Sequence, residues 1–249
     1  MATDRKLGII QIKSENLKNI DNFLKNDENI TLVECPFPHV TSGVSAFQYC
    51  VNLKSFKGDL NKLNDGNHMF SDCGKLETFT GKLPSLSKGN SMFYATNLSE
   101  FTEDLTALTD GTEMFRECKS LKTFKSKLTN LSTYTEMFKD TKLNTFDGGD
   151  IGITDSGLDF ITNSYLEISK NTLTSFKGNL LRSTNTSNMF KDFKKLTTYK
   201  GAFANVTESE GMFYNCIALE SFSDGIWATN AESMFRGCEN LNYIDSYTN

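Results

Sequence analysis

The sequence predicts an α/β repeat: a right-handed solenoid of about ten 22–23-residue units, with a parallel sheet along one face. Three observations predict it. The first is a period. The segment "HMFSDCGKLETFTGKL" (His68 to Leu83) is echoed by "EMFRECKSLKTFKSKL" (Glu113 to Leu128). Aligned on the residue before the Cys position, the chain shows anchors at Leu24, Phe47, Phe70, Phe93, Phe115, Phe138, Phe160, Phe190, Phe213 and Phe235. The steps are 22 or 23 residues, except for one of 30 between Phe160 and Phe190. That period is too short for a four-stranded propeller blade, and the chain lacks coiled-coil heptads.

The second observation is a set of apolar columns at fixed offsets from the anchor. One runs through Ile30, Leu53, Leu76, Leu121, Leu196, Leu219 and Leu241, with Leu98 and Leu143 one residue early. The next contains Val33, Phe56, Phe79, Phe101, Phe124, Phe146, Phe176, Tyr199, Phe222 and Ile244. The third holds Phe37, Leu60, Leu83, Leu105, Leu128, Leu180, Phe203 and Ile226. No single unit can bury such a face, but stacked units share one core.

The third observation is local alternation. In "SFKGDL" (Ser55 to Leu60), Phe56, Gly58 and Leu60 point one way, and Ser55, Lys57 and Asp59 the other. This predicts one short strand per unit, with a helical or irregular return through the anchor. At about 4.8 Å per parallel strand, the stack should form a rod or shallow arc of about 40–50 Å. Right-handed winding follows from the handedness of parallel crossovers.

The ends differ. Residues 1–23 predict a cap, with a strand in "GIIQI" (Gly8 to Ile12), an N-cap at Ser14 and a helix carrying Leu17, Ile20, Phe23 and Leu24 on one face. Residues 24–249 predict the solenoid, with an irregular insertion around 147–172 that begins in "DGGDIGITDSG". The last unit runs into "LNYIDSYTN" with no capping helix, and it carries Trp227, Tyr243 and Tyr247. Those aromatics either cap the core themselves or dock on another chain by strand addition or ring packing.

Composition narrows the function classes. Formal net charge is -5, with 26 basic and 31 acidic residues mixed along the chain, so no basic block predicts nucleic-acid binding. No apolar run reaches the length of a membrane span, and "MATDRKLGIIQIKSENLK" has no apolar signal core. The chain is therefore expected to be made in a cytoplasm with reduced thiols. Five of its six Cys (Cys50, Cys73, Cys118, Cys216 and Cys238) share one offset, where Thr96, Thr141 and Phe193 also occur. Such a column reads as small core residues, although stacked Cys50 and Cys73 would approach disulfide distance. No Cys-x-x-Cys pair, phosphate loop or Ser-His-Asp pattern is present. His68 fills a slot held elsewhere by Ser91, Glu113 and Glu136, which predicts an exposed polar position. Asp147, Asp150 and Asp155 do not have the spacing of a calcium loop. No enzyme activity, metal or cofactor is expected.

The outward strand face carries two rows. Ser55, Thr78, Thr123, Thr145, Ser175, Thr198 and Ser221 form a hydroxyl ladder, which pairs well across strands. Lys57, Lys125, Lys177 and Lys200 lie on the second row, where they would meet a carboxylate or an acidic glycan.

"SAFQYCVNLKSF" (Ser45 to Phe56) resembles the BspA-type leucine-rich repeat, with its Ala-Phe, Cys, Leu and strand-core positions. The Met-Phe variant resembles repeats in bacterial and mycoplasma surface proteins, and in predicted virion proteins of phages that infect gut Bacteroidales. The resemblance covers Ile30 to Ile244. One departure is Gly58, Gly81, Gly178 and Gly201, where the family usually has an aliphatic residue. The resemblance implies a leucine-rich-repeat-like scaffold without catalysis. The first functional expectation is a structural protein of a virion (tail, fibre or capsid decoration) that is made in the host cytoplasm and docks on other structural chains, a second copy of itself among them. The second is a bacterial cell-surface adhesin that binds a host glycan or protein through the strand face and the insertion. Neither calls for nucleic acid or membrane insertion.

Overall fold

The computed structural model describes residues 2–4, 9–11, 16–152, 170–222 and 228–244. Among the described residues twelve strands follow the order of the chain: β1 (Ala2–Asp4), β2 (Ile9–Gln11), β3 (Leu32–Glu34), β4 (Ser55–Asp59), β5 (Thr78–Lys82), β6 (Glu100–Phe101), β7 (Thr123–Lys125), β8 (Thr145–Asp150), β9 (Ser175–Asn179), β10 (Thr198–Lys200), β11 (Ser221–Phe222) and β12 (Tyr243–Ile244). They form two sheets, β1 to β5 and β6 to β12, each in chain order. Every pairing is parallel except β1 with β2, which is antiparallel. Register follows the columns, with Phe56 opposite Phe79 and Thr145 opposite Ser175. A second line of parallel bridges joins Asn19, Ser42, Asp65, Lys88, Asp110 and Thr133 on the anchor side.

The core is built from rings. Anchor Phe residues stack almost flat on one another: Phe47 on Phe70 at 5.4 Å and 6°, and Phe115 on Phe138 at 5.4 Å and 3°. The strand Phe residues form a second column, as in Phe56 on Phe79 at 5.5 Å. The two columns meet edge to face, as in Phe56 against Phe70 at 4.8 Å and 68°. Each ring therefore has both preferred aromatic geometries at once, each worth about 0.5–1.5 kcal/mol beyond area burial.

The strand glycines make room for this. A Cβ at Gly58 would lie 2.8 Å from the ring of Phe56 and 2.7 Å from the carbonyl oxygen of Cys35. The ring two residues upstream occupies the space an aliphatic side chain would fill, so the core is full at this column rather than thin.

No helix occurs among the described residues, so the sheet alone carries the solenoid and the α/β class is corrected. The return through each anchor is a row of turns. In the unit of Phe47, the N–H groups of Gly43, Ser45, Phe47 and Tyr49 donate to carbonyls of the next unit, at Asp65, Asn67, Met69 and Ser71. The alternate N–H groups of Ala46, Gln48 and Cys50 donate locally to Gly43, Ser45 and Phe47. Sending every second bond outward forces left-handed residues into each unit, such as Ser45 (φ 55°) and Tyr49 (φ 61°). The expected helix over Leu17 to Leu24 fails for the same reason. Ile20 and Leu24 donate to Ser42 and Ala46 of the following unit, so the segment is the first anchor row. Ser14 lies outside the described residues, as do Phe160 and most of the insertion.

The break between the two sheets falls where β5 and β6 do not pair. Phe101 is followed two residues later by Glu103, in the column that holds glycine at Gly58 and Gly81. A long charged side chain stands there in place of glycine, and β6 is only two residues long. The ring step across the break widens to 6.3 Å, between Phe79 and Phe101. A one-residue deletion also precedes β6, but the same deletion before β8 leaves β7 and β8 paired. Glu103 is the departure from the column that coincides with the break.

Candidate interaction surfaces

Cavities lie along the strand face. One, of about 460 Å³, is lined by Glu34, Lys57, Asp59, Gly81, Lys82 and Glu103, among others. It sits at the sheet break. Burial pushes the Glu103 carboxyl above the usual carboxylate range, while nearby Lys82 and a hydrogen bond from the Gly81 backbone N–H pull it back. Glu103 thus takes up a backbone donor that the interrupted sheet leaves over. Lys57 is paired with Glu34 at 2.9 Å.

The second cavity, about 320 Å³, is lined by Thr102, Asp104, Lys125, Ser126, Lys127, Asp147, Gly149 and Lys177. Parallel register places Lys125, Asp147, Lys177 and Lys200 side by side on β7 to β10. Asp147 holds Lys177 at 2.9 Å. The strand β8 shifts register between Asp147 and Asp150, and Gly149 takes φ 58° at that bulge, a left-handed conformation that favours glycine. Of the four lysines expected to form a ligand face, then, Lys125 and Lys177 share one cavity, Lys57 lines the other, and Lys200 lies beside Lys177 outside both. Lys127 was missed by pattern reading, because it follows the strand and belongs to no outward row. Asp150 bonds the Asn179 side chain at 2.7 Å, and Asp155 lies outside the described residues.

The last described unit forms a third surface. Tyr243 is 57% exposed and Ile244 is 45% exposed. Trp227 and Tyr247 lie outside the described residues. Because each anchor row donates forward, the row of Ala231, Ser233, Phe235 and Gly237 presents N–H groups with no acceptor among the described residues. At the other end, the carbonyls of Asp21, Phe23 and Lys25 receive no backbone N–H among the described residues. Among the described residues the anchor rows are therefore polar, with donors at one end and acceptors at the other.

The Cys column has a role beyond small size. Each thiol donates to the carbonyl of the preceding anchor: Cys50 to Leu24 at 3.0 Å, Cys73 to Phe47 at 3.1 Å and Cys118 to Phe93 at 3.0 Å. Thr141 keeps a donor in this slot, reaching the carbonyl of its own anchor, Phe138, at 2.7 Å. None of the six Cys is in a disulfide. Burial raises the Cys118 thiol to about 11, and contact with Cys50 together with burial pushes Cys73 upward. His68 is half-buried rather than exposed, and its slot is defined by backbone, since His68, Ser91, Glu113 and Glu136 all have φ between 50° and 56°.

A family model for the BspA-type leucine-rich-repeat region matches in six copies over residues 4–77 and 45–167. The chain belongs to the BspA-type leucine-rich-repeat family. No curated protein matches it. Among solved structures, a leucine-rich cell surface protein from Faecalibacterium prausnitzii A2-165 aligns at 17% identity over 97% of this chain and 88% of its own, with a TM-score of 0.45. A leucine-rich repeat protein from Bacteroides ovatus ATCC 8483 aligns at 16% identity over 98% of this chain and 70% of its own, with a TM-score of 0.43. No group of acidic, Cys or His residues among the described residues could hold a metal ion, and no helix there is long and apolar enough to cross a membrane.

Proposed function

We propose that this BspA-type chain is a non-enzymatic structural protein that docks on another protein chain through its last described unit, as a virion tail, fibre or capsid decoration component does. The observation that carries this reading is the pairing of an exposed Tyr243–Ile244 strand with a row of N–H donors that find no acceptor among the described residues. Such an edge takes a partner that brings backbone carbonyls and an apolar side chain. Two copies of the anchor row cannot pair face to face, because both rows are donors. A second copy that uses this row docks head to tail, which builds open-ended assemblies rather than a closed dimer.

A photo-crosslinking amino acid at position 243, introduced in cells that produce the native assembly, tests this. Crosslinks to another protein chain from position 243, and none from position 78 on the strand face, are expected. Crosslinks from position 78 alone would overturn the reading in favour of a cell-surface adhesin. That second reading is supported by the lysine-lined cavity over β6 to β9.

A further inference from the structure

The cavity of about 320 Å³ over β6 to β9 is of a size that suits one small polar ligand. Its three lysines face two aspartates. Lys177 is committed to Asp147 at 2.9 Å. Lys125 and Lys127 are exposed and have no carboxylate within ion-pair distance among the described residues. Two cations two residues apart, on one side of a cavity, are the part of the site that lacks a counter-charge.

The carboxylate and hydroxyl groups of the lining are already oriented, on walls made largely of side-chain carbon. Asp104 accepts the Thr106 backbone N–H at 2.9 Å, and Asp147 accepts the Gly149 N–H at 3.3 Å as well as Lys177. Both carboxylates are fixed in place and keep lone pairs for a hydroxyl donor. The Ser126 hydroxyl, buried at 8% exposure, accepts the Leu105 N–H at 3.0 Å and so still has its own proton to give. The bulge matters too. A Cβ at Gly149 would lie 3.2 Å from Lys127 Cγ, so the glycine lets the lysine stem lie along the rim. The neighbouring cavity has the opposite balance, with Glu34, Asp59 and Glu103 around Lys57 and Lys82, and an anion there would meet three carboxylates.

We propose that the cavity over β6 to β9 is a subsite for an acidic sugar, with the ligand carboxylate held by Lys125 and Lys127 and its hydroxyls by Asp104, Asp147 and Ser126. The site is independent of docking through the last unit. Charge-assisted bonds from two ammonium groups fix the carboxylate, and aspartates fixed beside them match a ring rich in hydroxyls. Binding weakens as salt rises, because both cations are exposed.

Backbone amide NMR titration tests this with sodium glucuronate, glucose and sodium acetate as probes. Saturable shifts at Lys125 to Lys127 and Asp147 to Gly149 with glucuronate, weaker ones with acetate and none with glucose are expected. The double variant Lys125→Gln/Lys127→Gln should lose about tenfold or more in glucuronate affinity while keeping its unfolding midpoint. Lys57→Gln/Lys82→Gln, in the other cavity, should bind as the parent does. Acetate binding as tightly as glucuronate would overturn the sugar assignment. No saturable response to glucuronate, or one that survives the double substitution, would overturn the site. Neither result touches the crosslinking test at position 243.

Discussion

The sheet of β1 to β5 and the sheet of β6 to β12 are made from the same repeat, yet they differ in how far they follow it. Where glycine stands two residues after the strand Phe, the strand runs on: β4, β5 and β9 have five residues and β8 has six. Where Glu103 and Ser126 stand there, β6 has two and β7 three. The strand β10 stops at three despite Gly201, where an added Cβ would lie 2.0 Å from the carbonyl oxygen of Gly178, so only glycine fits there. The cavities lie at the lapses, one beside Glu103 and the other beside Ser126 and the bulge of β8. Repetition builds the core in this molecule, and departures from repetition build its surface features.

The largest test of this contrast lies in the rings. Phe56→Ala, within the continuous sheet, should cost about 3–5 kcal/mol. Phe79→Ala should cost clearly less, because Phe79 stands at the break and is only partly buried. Chemical unfolding midpoints of the two variants check this. Gly201→Ala comes next and should destabilise by about 3 kcal/mol or more, since the added carbon meets backbone that cannot turn away. Gly74→Ala, whose nearest atom would be 4.0 Å away, should stay within about 0.5 kcal/mol.

A smaller effect concerns pH. The Glu103 carboxyl is raised in the folded state, first by burial, so its ionisation works against folding. Its contribution is neutral at pH below its unfolded value, and stability falls as pH rises through the window up to its folded value. Glu103→Gln should remove that decline, which thermal melts across the acid range would show. The smallest effect concerns the thiols. Buried Cys118, raised to about 11, should resist alkylation at neutral pH in the native protein, whereas half-exposed Cys238 should react first.

Much of the fold is legible in the sequence, because the columns are made of large residues with one job. Phe56, Phe124 and Phe146 announce both their burial and their register. The backbone of the anchor row is not legible. Glu113 and Glu136 adopt left-handed φ although nothing in a glutamate asks for it, because bonds to the neighbouring unit impose it. The spacing of Leu17, Ile20, Phe23 and Leu24 imitates a helix for the same reason: the row repeats its inward positions every three or four residues without closing the i to i−4 bonds of an α-helix. The donor role of the Cys column is equally hidden, since a thiol reads as a small apolar group until its carbonyl partner is placed beside it. At the candidate site, Lys125 and Lys177 could be found by row, while Lys127 and Asp104 come to the cavity only through the short strands around the break.

The central claim is that Glu103, in a column that holds glycine in β4 and β5, interrupts the sheet. Amide hydrogen exchange at Thr102 tests this most directly, because its N–H has no backbone partner among the described residues. In Glu103→Gly the strands β5 and β6 should pair, and exchange at Thr102 should slow by about tenfold or more. Exchange at Thr102 as fast as in the parent would contradict the account and assign the break to the deletion before β6.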